Sequence, residues 1–483
     1  VELHQRIVSA PVDFGAVRSE FGLASAYPAG AVSEARDAVD AFAGHRIDAT
    51  DIPFVTIDPP GALDLDQALH LSRTDTGFTL HYAIADLAAV IVPGSALDQE
   101  SGRRGQTFYL PDGTVPLHPP VLSEDAASLL PERTRPAVLW TVELDHAAEP
   151  RRWQVARALI RSVARLDYAG VQAAADAGTP HPAIADLPEF GRLRIESGHA
   201  RGAIALRLPA QDVVRDGTGW RLELEPRTAA DDWNEQVSLL TGMVAARIML
   251  DHPGPGRTGL LRTMPPPPES AVASLRRTAA ALGVPWPDGA GVGRVLGGLD
   301  PNSPESLVLN SEATGLLRGA AYTLLDDAPR TPAQLTHSAI GAPYAHVTAP
   351  LRRLADRYTT EICLAYCAGA EVPDWVRTGL AAAADTMRRT DAEANKVDRA
   401  CIDLTEATVL APRVGQGFDA IVLRDADGSR PAEIFVEDPP VMARCDGKPE
   451  EGKRIRARLT EADPAARTVR FAYPEQAPAA TAR

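Results

Sequence analysis

Residues 58–69 read DPPGALDLDQAL, which sets three carboxylates, Asp58, Asp64 and Asp66, within nine residues and follows them with Gln67. Charges of one sign this close repel unless a cation or a proton intervenes. The preceding stretch DIPFVTID (51–58) is short and β-branched, which predicts a buried strand running into the acidic run. Pro59, Pro60 and Gly61 stop that strand from continuing. The chain then turns and brings Asp64 and Asp66 back on one side, because residues two apart in an extended segment share a face. Oxygen ligands without neighbouring Cys or His suit Mg²⁺ or Mn²⁺ better than Zn²⁺. Two such ions about 4 Å apart would activate a water and steady the leaving oxygen of a phosphodiester. Read alone, the same loop fits a solvated acidic turn equally well.

The rest of the chain bounds this reading without deciding it. Its 483 residues predict one large domain with one or two small attachments. A hydrophobic share of 45% and a charged share of 23% are ordinary for a globular protein. No apolar run reaches the roughly 18 residues that span a membrane, and VELHQRIVSA has no basic-then-apolar leader pattern. A cytoplasmic location without a membrane partner is therefore expected. Four cysteines are too few for a disulfide framework, and Cys363 and Cys367 read as small buried residues before they read as a metal pair. The net charge of −15 argues against a protein that coats nucleic acid through general basicity. It does not exclude a locally basic channel that draws in a polyanion.

Helical spacing appears in VSEARDAVDAFAG (32–44), and FTLHYAIADL (78–87) and RPAVLWTVELD (135–145) read as strands. From about 160 to 400 helical patterns dominate. DGAGVGRVLGGLD (288–300) lacks the Lys-Ser/Thr ending and preceding strand of a phosphate loop and reads as a turn-rich connector. After Gly415, five short strands with turns between them predict a small OB-type barrel. The alternating cations of GKRIRARL (452–459) put a basic face on one of its strands, as a module for single-stranded nucleic acid would have.

A second constellation, YAHVTAPLRRLADRY (344–358), tilts the reading of the acidic loop. Pro350 suits a helix start, with Leu351, Leu354 and Tyr358 on one face. Arg352 and Arg353 would then lie in the first turn, where the helix dipole disfavours cations unless an anion binds there too. The bland alternative is an intrahelical pair between Arg352 and Asp356, worth about 0.3–0.5 kcal/mol.

These two stretches, in this order and with GQTFYLPDGTVPLHPPVLSEDAASLLP (105–131) between them, resemble the RNase II/RNase R family of exoribonucleases and its RNB catalytic domain. The resemblance implies an α+β fold: an N-terminal helical segment over 1–50, an RNB domain of mixed sheet and helices over 51–410, and a C-terminal OB-fold barrel over 411–475. It implies Mg²⁺-dependent hydrolysis of single-stranded RNA from the 3′ end to nucleoside 5′-monophosphates, with Mn²⁺ as the alternative metal. Matched residue by residue, Asp58, Asp64, Asp66 and Gln67 fall on the metal-binding positions. Asp66, Asp64 and Arg352 fall on the catalytic ones, with Arg352 holding the scissile phosphate. Tyr109 falls on an aromatic that stacks on the 3′-terminal base, a contact worth about 1–3 kcal/mol. Arg353, Arg262 and Asp398 are carried over as further RNA contacts. Protein partners and oligomeric state stay open, with a monomer as the simplest expectation.

Four departures from the family pattern carry expectations of their own. Gln67 stands where a fourth Asp should be, which predicts weaker metal binding, or else a decayed site on a protein that only binds RNA. Ala349 replaces a serine and, as a helix cap, would forfeit about 1 kcal/mol. Leu206 stands where some members place a second stacking aromatic, so a looser grip on RNA is expected. No pair of cold-shock barrels precedes Asp51, which leaves RNA guidance to the C-terminal barrel and the catalytic channel.

Overall fold

In the computed structural model, which describes residues 9–208, 210–225, 227–253, 256–301, 303–326, 330–428 and 430–474, the acidic run connects two neighbouring strands. The main sheet contains β1 (Ile47–Asp48), β2 (Phe54–Ile57), β3 (Gln67–Thr74) and β4 (Gly77–Ala85). A small hairpin of β5 (Phe108–Leu110) and β6 (Gly113–Val115) follows, and then β7 (Thr134–Leu144) and β8 (Pro150–Leu166) complete the sheet. Its order is β1-β8-β2-β3-β4-β7, and β8 also pairs with β7, so the sheet curls back on itself. β1 and β2 run parallel to β8 while the other pairs are antiparallel. The sheet is mixed and packed by helices, as the α+β expectation requires.

Alternation along the strands gives the sheet two different faces. Leu69, Leu71, Leu80, Tyr82, Trp140 and Val142 form the bulky face, which buries against the helices Ala229–Asp251 and Leu354–Cys367. Ala68, Ala83, Ala137 and Ala158 form a small-residue face that lets the N-terminal helix Ala29–Arg36 and the loop around Leu122 and Leu129 approach closely. Two glycines make the close approaches that seat the functional segments. A Cβ on Gly242 would lie 2.1 Å from the Tyr344 ring, and the Gly242 carbonyl accepts from the Ala345 N–H. Gly105, at φ +75°, lies so close to Thr386 and Thr390 that a side chain would collide with both.

β9 (Ala210–Asp216) and β10 (Gly219–Glu225) form a hairpin, and β11 (Gly259–Thr263) pairs with β12 (Ala321–Leu325). The long helix Asp374–Leu410 then leads to β13 (Gly417–Arg424), β14 (Ala432–Glu437), β15 (Pro440–Asp446), β16 (Arg454–Asp463) and β17 (Thr468–Ala472). These five close into a barrel in the order β13-β14-β15-β17-β16, the predicted OB-type module. Its core is continuous with Phe108 and Leu110, with Trp220 and Leu222, and with Val397 of the long helix. The hairpin that carries Tyr109 is thus rooted in the same apolar cluster as the barrel.

Three sequence expectations need correction. The helix expected over 32–44 ends at Arg36. Asp40 instead pairs with Arg46 at 2.6 Å, and Arg46 reaches buried Asp86 at 2.9 Å, which ties 37–46 to the sheet edge as a loop. The region read as helical from about 160 begins inside β8, a 17-residue strand, and contains two further strand pairs. The connector 288–300 contains a short helix, Val292–Gly297.

Candidate active site

The acidic loop is held from below. The Ser128 hydroxyl accepts from the Leu65 N–H at 3.0 Å and donates to the Leu63 carbonyl at 2.6 Å, while the Asp58 N–H donates to Leu166 at the end of β8. Asp66, only 2% exposed, accepts from the Leu351 N–H at 2.7 Å through one oxygen and from Arg352 Nε at 2.6 Å through the other. Residues 286 positions apart therefore meet directly. Backbone pairing brings in the third component. The Thr107 N–H donates to the Arg352 carbonyl and the Leu354 N–H to the Gly105 carbonyl, which swings the β5–β6 hairpin alongside. Tyr109 keeps 51% exposure, and its hydroxyl donates to Asp64 at 3.3 Å.

Electrostatics at this point are strained by burial. Desolvation pushes the Asp66 carboxyl up to about 7 against the pull of Arg352, and pushes Asp58 up to about 6. Asp64 raises both further by charge repulsion. The same cluster raises the Arg352 guanidinium, whose neighbouring carboxylates outweigh its own desolvation. Among the described residues, one buried oxygen of Asp58 has no well-formed hydrogen bond, with the Thr56 hydroxyl as a nearby donor. A carboxylate oxygen left without a close donor near a second carboxylate, Asp64, is the situation a hard divalent cation relieves. The donor set is oxygen throughout, which suits Mg²⁺ or Mn²⁺. Among the described residues, however, no three Asp, Glu, His or Cys side chains converge as ligands of one ion.

The other carried-over residues are distributed less tightly. The helix that was expected to start at Pro350 starts at Leu354, so Arg352 and Arg353 precede it. Asp356 pairs with Arg353 at 2.7 Å, not with Arg352, and also accepts from the Ala349 N–H at 2.7 Å. Ala349 is therefore no helix cap, and the expected capping loss does not arise. Arg262 pairs with Asp391 at 2.9 Å and lies 4.6 Å over the Tyr322 ring, whose hydroxyl meets His346. Asp398 is exposed on the long helix, where its charged neighbours are Arg399 and Asp212. Leu206 packs beside Ile204, Leu275 and Val292 in a separate apolar cluster. Gln67 turns to the bulky face, where its amide meets Tyr82 and the Thr348 carbonyl.

Two residues of this region escaped the sequence reading. Asp391 has no local motif, because its partner Arg262 lies on β11, far away in the chain. His118 is fully buried between the Ser101 hydroxyl and the Pro350 carbonyl, and burial depresses it to about 3. It is neutral at any working pH, and with a carbonyl facing Nε2 the proton belongs on that nitrogen. The run LHPP around it gave no sign of such a role.

Comparison with known proteins finds two domain patterns in the chain. The RNB domain pattern matches residues 46–368, and that of the RNase II-type exonuclease C-terminal S1 domain matches 416–473. Ribonuclease R of Chlamydia muridarum is 29% identical over 293 residues, 59% of this chain and 42% of the relative. Exosome complex exonuclease RRP44 of Homo sapiens is 28% identical over 327 residues, 65% of this chain and 33% of the relative. The chain thus covers less than half the length of either. Among solved structures, Mycoplasma genitalium RNase R, determined without RNA and also with ribose-methylated single-stranded RNA, superimposes with a TM-score of 0.83. The RNA-free form is 20% identical over 95% of this chain and 77% of that one. Yeast Ssd1, described as a pseudonuclease, superimposes with a TM-score of 0.65 at 18% identity, over 88% of this chain and 52% of that one.

Proposed function

The chain belongs to the RNB family, and on that premise we propose that it is a divalent-metal-dependent exoribonuclease that shortens single-stranded RNA from its 3′ end and releases nucleoside 5′-monophosphates. One observation carries the reading: Asp66 and Arg352 touch at 2.6 Å beside Asp58, Asp64 and an exposed Tyr109. Asp58, Asp64 and Asp66 would divide the holding of divalent ions between them, and ions bound there would supply a water of lowered pKa and neutralise phosphate charge. Arg352 keeps 41% side-chain exposure and can therefore meet an incoming phosphate while Asp66 orients it. A planar guanidinium matches the two oxygens of a phosphate and offsets charge that grows in the transition state. Tyr109 presents its ring to solvent beside these groups, so a terminal base can stack on it without regard to base identity. RNA bound to the similar Mycoplasma protein supports RNA as the substrate class.

The second reading is an RNA-binding relative that has lost hydrolysis. Gln67 in place of a carboxylate favours it, and the likeness to Ssd1 gives it a precedent in fold. The two separate on 3′-labelled, unstructured RNA with Mg²⁺ or Mn²⁺. The nuclease reading expects a labelled mononucleotide from the first turnover, and a fall in rate of about a thousandfold in Asp66→Asn. Binding without release under either metal, or equal rates in wild type and Asp66→Asn, removes it.

A further inference from the structure

We propose that Gln67 is a positioning residue that holds the segment leading to Arg352, and not a ligand of the divalent ion. The inference rests on the nuclease reading above and concerns the same site. Gln67 lies opposite Ile84 in the β3–β4 register and diagonal to Tyr82, on the bulky face that packs against the helix Ala229–Asp251. Its Oε1 accepts from the Tyr82 hydroxyl, which in turn has the Ser238 hydroxyl as partner at 2.9 Å. That oxygen is thus already engaged by a hydroxyl within the packed face. Its Nε2 donates to the Thr348 carbonyl at 2.7 Å.

That last bond gives the residue its purpose. The stretch 348–352 belongs to no helix or strand, and side chains satisfy most of its buried polar groups one at a time. Asp356 takes the Ala349 N–H, His118 reaches the Pro350 carbonyl and Asp66 takes the Leu351 N–H. Gln67 supplies the partner of Thr348, a residue only 3% exposed. A carboxylate at position 67 could not serve, since it has no N–H to donate and would set lone pairs against a buried carbonyl. The amide in place of the family's Asp is thus matched to this backbone, and the Arg352 guanidinium is placed by it four residues away.

The test compares Gln67→Glu, Gln67→Asp and Tyr82→Phe with wild type in three measurements: Mn²⁺ affinity by electron paramagnetic resonance, single-turnover RNA cleavage, and hydrogen exchange of peptides covering 344–353. Positioning predicts Mn²⁺ affinity within about threefold in every variant, with cleavage slowed about thirtyfold or more in both carboxylate variants at unchanged RNA affinity. It also predicts exchange in 344–353 faster by about tenfold in those variants, and a smaller change of the same sign in Tyr82→Phe. Tyr82→Phe keeps the comparison open should a carboxylate variant fail to fold. Mn²⁺ binding tightened about tenfold by either carboxylate, with cleavage kept or raised, would overturn the proposal, as would unchanged exchange. A wild type inert toward RNA would defeat the nuclease reading alone, because exchange and Mn²⁺ affinity still report on Gln67.

Discussion

The pocket around Asp66 and the outer surface of barrel strand β16 both set arginines beside carboxylates, yet the two arrangements differ in kind. In the pocket, Asp66 is 2% exposed and only the Arg352 end of the pair, at 41%, reaches solvent, so the carboxylate end of the bond is shielded from water. On the barrel, Arg454 pairs with Glu437 at 2.8 Å and Arg456 with Asp419 at 3.2 Å, all four side chains at least 41% exposed. Exposed pairs of this type are worth about 0–1 kcal/mol and are screened by salt. Alternation along GKRIRARL promised a basic face, but the register puts Asp419 of β13 directly opposite Arg456. Between residues 416 and 473 eleven acidic residues face ten basic ones. A pattern within one strand tells which way side chains point, while the neighbouring strand decides the potential they create.

Within this contrast the largest expected effect separates geometry from charge in the pocket. Arg352→Lys keeps the positive charge and discards the planar fork. If the pocket works by directed contact, the cleavage rate falls about a hundredfold while RNA affinity changes little. Full activity in the lysine variant would reduce the pocket to a charge pair like those on the barrel and break the contrast.

The contrast also marks what could be read in the sequence. Asp58, Asp64, Asp66, Tyr109 and Arg352 could be picked out as candidates because their motifs are local runs whose order along the chain is specific. The five barrel strands were legible because Gly and Pro turns separate short alternating segments. β8 was not legible: its burial alternates along PRRWQVARALIRSVARL, but Ala and Arg dominate the run, and partners on both sides set its strand character. The partners Asp391 for Arg262 and Asp66 for Arg352 are matters of tertiary approach, to which no local pattern points. The helix start moved from Pro350 to Leu354 for the same reason, since 348–352 is held by groups from elsewhere in the chain.

An intermediate effect follows from burial of the acids. Asp58 and Asp66 are raised to about 6 and about 7, so the folded chain holds protons that the unfolded chain releases near pH 4. Folding takes up protons between about pH 4 and 7, and stability from these groups is present at low pH and lost as pH rises through that window. Divalent ions require the ionised form, so their stabilisation grows across the same window. In thermal melts, the shift given by saturating Mg²⁺ over EDTA should be several degrees larger at pH 8 than at pH 5.5. Asp58→Asn should shrink that difference. An equal Mg²⁺ shift at both pH values in wild type would mean that the acids do not meet the metal.

The smallest expected effect lies on the barrel. Because Arg454 and Arg456 already have acidic neighbours, replacing both with Ala should change the affinity for single-stranded RNA by less than about twofold and leave its salt dependence nearly as it was. Were the two arginines phosphate contacts, the slope of log affinity against log salt would drop by about 0.7 for each, and binding at low salt would weaken far more than at high salt. The comparison is sharpened by reversing the partners: Asp419→Asn with Glu437→Gln removes the neutralising charges and should strengthen RNA binding at low salt. A strengthened barrel would show that its weakness toward polyanions comes from the opposite strands and not from the arginines themselves, which is the distinction between a strand's pattern and a surface's potential.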